Sequence, residues 1–145
     1  AEAFFLGAFA DSGSSITVVG NIEDQSESDW YRFDAVDEQE AETCDRFNVV
    51  IRLLENPNAA FAFDVRKTAC AESNQVCSSN QLFEWFTNFF DANAGECPCR
   101  PEGETDAGSH VCSDNSDVFY VRVFLREGKT PVCGGYVLEV ANGLD

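Results

Sequence analysis

A strict alternation of apolar and polar side chains recurs along this chain and constrains its fold more than any other feature. Four segments carry it, with apolar positions Phe47, Val49, Ile51, Leu53; Phe61, Phe63, Val65; Phe119, Val121, Val123, Leu125; and Tyr136, Leu138, Val140. Successive side chains of a strand point to opposite sides of a sheet, so this period of two predicts half-buried strands. The intervening positions, such as Ala62, Asp64 and Arg66, are expected on the outward face.

Four shorter runs, residues 4–9, 16–22, 30–35 and 82–90, also predict strands. Turn residues separate these segments, for example Asn56-Pro57-Asn58 and Gly134-Gly135. No amphipathic crossover helix is available for a parallel α/β fold. The sequence therefore predicts an all-β, antiparallel β-sandwich of seven or eight strands. A length of 145 residues fits one domain, residues 1–145.

Acidic residues outnumber basic ones, 26 to 9, which gives a formal net charge of −17. Such a chain repels phosphate backbones and anionic lipid, so nucleic acid is excluded as a partner. No apolar run reaches the roughly 18–20 residues of a membrane span, and membrane insertion is not expected. Divalent cations or basic surfaces remain as partners, unless the charge serves only solubility.

The chain begins at Ala1 and contains no Met but seven Cys. We expect a mature secreted protein, extracellular after signal-peptide removal, with its cysteines in disulfides. The preferred pairs are Cys70 with Cys77, Cys44 with Cys133, and Cys112 with either Cys97 or Cys99, which leaves one thiol free. A zinc site is the alternative, but the single-residue spacer of Cys97-Pro98-Cys99 does not suit one. Residues 91–117 form a long cysteine-containing loop, which bridges would order.

Two acidic turns are the strongest chemical signal. The first contains Asp24, Glu27 and Asp29, and the second contains Asp114 and Asp117. Carboxylate oxygens on tight turns suit calcium, which takes six to eight oxygen ligands, although neither turn has the EF-hand spacing. We therefore predict calcium as the cofactor if the chain has one, with solvated acidic turns as the alternative.

No catalytic constellation is recognisable, so we expect that the chain is not an enzyme. A Ser or Cys nucleophile needs a positioned base, and the only histidine, His110, lies in the irregular loop. Two aromatic pairs, Trp30-Tyr31 and Trp85-Phe86, could contribute to a platform for sugar rings or protein. Neighbours on a strand face opposite ways, so one member of each pair is expected in the core.

Several short motifs resemble the bacterial pre-peptidase C-terminal domain. They are Phe5-Leu6-Gly7, Val18-Val19-Gly20-Asn21-Ile22, Glu27-Ser28-Asp29-Trp30-Tyr31-Arg32-Phe33 and Tyr136-Val137-Leu138-Glu139-Val140. Glu27 stands where the family pattern has Asp. The resemblance implies a jelly-roll-like sandwich that accompanies secreted exoenzymes and sometimes binds calcium or a polymeric substrate. The cysteine-rich middle is similar to variants in secreted bacterial proteins.

These observations predict a non-catalytic structural or interaction protein, such as a subunit of an extracellular filament or surface layer. Its N-terminal strand, with Phe4, Phe5, Leu6 and Phe9, is expected to contact a neighbouring copy in a homo-oligomer or polymer. If instead this strand belongs to its own sandwich, strand donation fails. The alternative function is a calcium-dependent accessory module of an exoenzyme that binds carbohydrate or a protein matrix.

Overall fold

The computed structural model describes residues 2–38, 47–75, 83–87, 99–100, 110–111 and 114–143. Two four-stranded sheets form a sandwich, with strand orders β1-β3-β9-β5 (the β1 sheet) and β2-β10-β4-β6 (the β2 sheet). The strands are β1 (Phe4–Ala10), β2 (Ser14–Gly20), β3 (Ser28–Val36), β4 (Val49–Glu55), β5 (Phe61–Lys67), β6 (Glu84–Phe86), β7 (Cys99–Arg100), β8 (His110–Val111), β9 (Asp117–Leu125) and β10 (Tyr136–Asn142). This confirms the predicted all-β sandwich.

The core lies between the two sheets and contains the apolar faces predicted from the alternation. Phe33, Phe63, Phe119 and Leu138 are buried there, and the rings of Phe33 and Phe119 stack at 5.4 Å between centroids. Trp85 packs against the same cluster from β6. Burial of each large side chain contributes about 1.5–3 kcal/mol, so this interface holds the sheets together.

Within the two sandwich sheets, one of the described strand pairings is parallel, which corrects the antiparallel part of the sandwich prediction. β1 runs parallel to β3, from the pair Phe4 and Tyr31 to the pair Ala10 and Val36. The chain leaves β1 through a short turn, forms β2 in the opposite sheet and then returns to the first sheet as β3. Two successive reversals restore the original strand direction, so β1 and β3 run the same way.

The side chains on the outward face of β5 are buried, which corrects a second prediction. Alternation placed Ala62, Asp64 and Arg66 on a solvent-facing side, yet all three are buried, and Asp64 is fully inaccessible. Arg122 donates from Nε to Asp64 Oδ2 at 2.9 Å, while Arg66 Nε lies 3.6 Å from Asp64 Oδ1. The two guanidinium groups compensate the buried carboxylate, so a polar residue can occupy a desolvated position.

The predicted strand at residues 82–90 is seen as the short β6, and residues 82 and 88–90 lie outside the described ranges. β7 and β8 form a separate two-stranded parallel pair. No helix in the described part of the chain is long and apolar enough to cross a membrane.

Candidate functional site

The N-terminal strand divides its side chains between its own core and the surface. Phe9 is buried and meets Phe33 edge-on at 6.0 Å, and Leu6 packs against the same core. Phe4 and Phe5 are instead 67% and 51% exposed. β1 thus pairs within its own sandwich, as in the intramolecular alternative. Of the four predicted interface residues, only Phe4 and Phe5 are largely exposed, and Arg32 Cζ lies 5.1 Å from the centroid of the Phe5 ring.

β1 and β2 each lie at one end of the strand order of their sheet, and β5 and β6 lie at the other ends. Phe4 pairs with Tyr31, Gly20 pairs with Tyr136, and the hydroxyls of these two tyrosines are 2.7 Å apart. The start of β1 and the end of β2 therefore lie at the same end of one side of the sandwich. We call this side, residues Phe4–Ala10 and Ser14–Gly20, the β1–β2 edge.

The β1–β2 edge carries no charged side chain, although 24% of the whole chain is Asp, Glu, Lys or Arg. Three of the five large apolar side chains that are exposed in the described ranges belong to it: Phe4, Phe5 and Val19, the last 76% exposed. Natural edge strands usually carry charges that discourage pairing with another chain. This edge lacks that protection.

A buried polar cluster supports one end of the edge. The Tyr136 hydroxyl donates to Asp29 Oδ2 at 2.6 Å and lies 2.7 Å from the Tyr31 hydroxyl. Gly20 is required beside this cluster because a Cβ there would overlap the Tyr136 ring and hydroxyl. The motif residues Gly20, Asp29, Tyr31 and Tyr136 thus act together in joining β2, β3 and β10.

Burial, and then the hydrogen bond to Asp29, raises the pKa of the Tyr136 phenol above its usual value. The unfolded chain releases this proton near pH 10 while the folded chain keeps it, so stability is present below about pH 10 and lost above it. We expect Tyr136→Phe to reduce the free energy of unfolding by about 1–3 kcal/mol at neutral pH and to flatten the alkaline decline. Urea unfolding from pH 7 to pH 11 measures both.

Tyr120→Phe, on the outward face of β9, is the control and should change the free energy of unfolding by within about 0.5 kcal/mol. Equal effects of the two substitutions at neutral pH would contradict the structural role of the Tyr136 hydroxyl.

In the first predicted calcium cluster, the carboxylates of Asp24 and Asp29 already accept hydrogen bonds from other groups of the protein. Asp24 is exposed, and its Oδ1 accepts from the Ser26 backbone N and hydroxyl, both at 2.7 Å. The Ser26 side-chain hydrogen bond, followed by the backbone one, lowers the pKa of the Asp24 carboxyl. Glu27 is exposed in the same turn, and Asp29 accepts from Tyr136 instead.

The second predicted cluster lies at the other end of the β1 sheet. Asp114 accepts from the Ser116 backbone N at 2.9 Å, and hydrogen bonds from Ser116, the side chain's first, lower the pKa of its carboxyl. Asp117 pairs with Lys67 at 3.4 Å and accepts from the Thr68 hydroxyl at 3.1 Å. β3 and β9 are antiparallel, so Asp29 and Asp117 lie near opposite ends of the sheet and the two clusters stay apart. In the ranges that the structure describes, no three His, Cys, Asp or Glu side chains form a group that could hold a metal ion.

The two aromatic pairs differ in their surroundings. Tyr31 is buried, whereas Trp30 lies half-buried on the outward face of the β1 sheet, as expected for neighbours on a strand. The Trp30 ring is contacted by two guanidinium groups, from Arg66 at 4.7 Å and from Arg122 at 5.8 Å. The Trp30 ring is thus already in contact with two cationic side chains of its own chain. Trp85 packs against the core, and the Phe86 side chain lies outside the described part of the structure.

Sequence reasoning missed the Asp64, Arg66 and Arg122 cluster. The sequence contained a clue to this cluster. Asp64 lies between the apolar residues Phe63 and Val65, and Arg122 lies in β9, whose apolar and polar residues alternate just as clearly. Which arginine would meet that carboxylate depended on the register of β5 against β9, which pairs Asp64 with Arg122.

Cys70 and Cys133 are exposed and carry free thiols in this structure, and the partner predicted for each lies outside the described residues. Cys99 begins β7, and Cys44, Cys77, Cys97 and Cys112 lie outside the described residues, as does most of the predicted loop at residues 91–117. The disulfide framework stays a prediction.

Comparison with protein-family models, with curated proteins and with solved structures gives no match for this chain. The resemblance to the pre-peptidase C-terminal domain therefore rests on the quoted motifs alone.

Proposed function

We propose that this chain is a non-catalytic, secreted interaction protein that associates with further copies of itself through the β1–β2 edge. The observation that carries the proposal is the exposure of Phe4 and Phe5 on an uncharged outermost strand. Exposed apolar side chains grouped on one surface are typical of interaction sites, whereas scattered ones are not.

The β1–β2 edge is the surface at which a second copy would meet the least charge repulsion. Two molecules that each carry −17 repel one another wherever their acidic surfaces face. Association is least opposed through a surface without carboxylates, and both strands of the β1–β2 edge have none. Salt screens the remaining repulsion over a Debye length of about 8 Å at physiological ionic strength. Self-association is therefore best measured at or above that ionic strength.

The experiment is sedimentation velocity over a concentration series of the wild-type chain and of the Phe4→Ser/Phe5→Ser double variant. We expect concentration-dependent association of the wild type and its loss in the variant, with the dissociation constant raised at least about tenfold, or about 1.4 kcal/mol. Both residues are largely exposed, so the variant should retain its fold, which circular dichroism checks.

The matched control is Leu54→Ser/Phe83→Ser. These two side chains are 52% and 40% exposed and lie in and beside the β2 sheet, away from the β1–β2 edge. We expect this variant to associate like the wild type. A wild-type chain that remains monomeric throughout the series, or equal weakening by both double variants, would overturn the proposal.

A further inference from the structure

We propose that two copies join by pairing β2 with β2, antiparallel, across a twofold axis, to make a closed dimer with one continuous eight-stranded sheet. This inference rests on the proposed self-association and specifies the atoms and the symmetry involved. It assigns the backbone hydrogen bonds of the interface to β2 and its apolar contacts to β1.

The regularity of β2 makes it the better strand for pairing. All seven of its residues pair with β10, from Gly20 and Tyr136 to Ser14 and Asn142, without a shift in register. A strand that is regular on its paired side presents an equally regular row of N–H and C=O groups on its free side. In the described part of the chain no strand pairs with that side of β2, and Ser14, Ser15, Thr17 and Val19 are all exposed.

β1 is less suited to forming the ladder. Its register against β3 shifts between Phe5 and Gly7, which leaves Leu6 outside the regular pairing. Such bulges bend an edge strand and interrupt its row of donors and acceptors. Phe4 can still contribute apolar area beside the paired β2 strands, since it is in register with the inward-facing Tyr31, on the side of β1 that faces the β2 sheet.

Antiparallel self-pairing also suits the composition of β2. A twofold axis at Thr17 places Ser14 opposite Gly20, Ser15 opposite Val19 and Ile16 opposite Val18, so all seven residues are paired. No two like charges meet, because the strand carries none, and the β-branched Ile16, Thr17, Val18 and Val19 favour extended backbone. A symmetric interface of this kind uses the same surface on both copies, so it produces a closed dimer and no longer assembly.

The test compares Thr17→Lys with Thr130→Lys in the whole chain by sedimentation velocity. Both threonines are exposed and both substitutions change the net charge equally, but Thr130 lies in the connection between β9 and β10. In the Thr17→Lys variant, the introduced ammonium groups of two copies would meet at the twofold axis and repel. We expect Thr17→Lys to stay monomeric where the wild type and Thr130→Lys are dimers, with unchanged thermal unfolding of the monomer.

Two other results separate this inference from the proposed function. If Thr17→Lys dimerises like the wild type while Phe4→Ser/Phe5→Ser does not, the β2 pairing is overturned and association through the apolar side chains of β1 stands. Assembly of the wild type beyond a dimer would overturn the closed twofold pairing alone. A wild-type chain that is monomeric at all concentrations would overturn both proposals.

Discussion

Asp64→Ala is expected to lower the free energy of unfolding by about 3–5 kcal/mol, the cost of removing one partner from a buried ion pair. Asp64 is inaccessible to solvent and lies between the Arg122 and Arg66 guanidinium groups. Arg66 is itself buried, so its charge would remain without the carboxylate that compensates it. Native domains are stable by only about 5–15 kcal/mol, and a loss of this size is readily measured by urea denaturation.

Asp34→Ala provides the matched control on the same outward face. Asp34 Oδ1 lies 3.0 Å from Arg32 Nη2, but both side chains of this pair are partly exposed, 34% and 40%. Exposed ion pairs contribute about 0.2–1 kcal/mol, so the control should cost several-fold less. Similar losses of unfolding free energy for the two variants would show that burial does not determine how much the Asp64 carboxylate contributes to stability.

Gly143→Ala is expected to cost about 2–5 kcal/mol, the sum of a left-handed backbone and an overpacked site. Gly143 has φ +75°, and a Cβ there would overlap the backbone of Asp11. The glycine cannot easily move away, because its N–H donates to the Asn48 carbonyl at 3.1 Å and the neighbouring Asn142 carbonyl accepts from Gly13 N at 3.2 Å. Thermal or urea unfolding measures the loss.

Gly128→Ala separates the two contributions. Gly128 has φ +74°, almost the same conformation, yet a Cβ there would meet no atom within 4 Å. Only the backbone cost of about 1–2 kcal/mol should appear. The difference between the two variants therefore measures the steric overlap at Asp11, and no difference would mean that the end of β10 relaxes away from the β1–β2 turn.

The β1–β2 edge was only partly predictable. Phe4, Phe5, Leu6 and Phe9 all appeared as candidates because the segment is apolar, but the sequence could not separate Phe9, which enters the core, from Phe5, which stays exposed. β2 was recognised as a strand but not as an outermost one. Strand position in a sheet follows from long-range pairing, which local patterns do not encode.

The sequence by itself determined the sandwich, because a period of two specifies the face of each strand that must leave water, and Phe63, Val121 and Leu138 are buried as that pattern requires. Only the tertiary structure decided which polar side chains meet. Asp29 meets Tyr136, 107 residues away, and Asp64 meets Arg122, 58 residues away. Alternation predicts which side a residue takes, whereas its partner depends on strand order and register, and these are set by the packing of the whole chain.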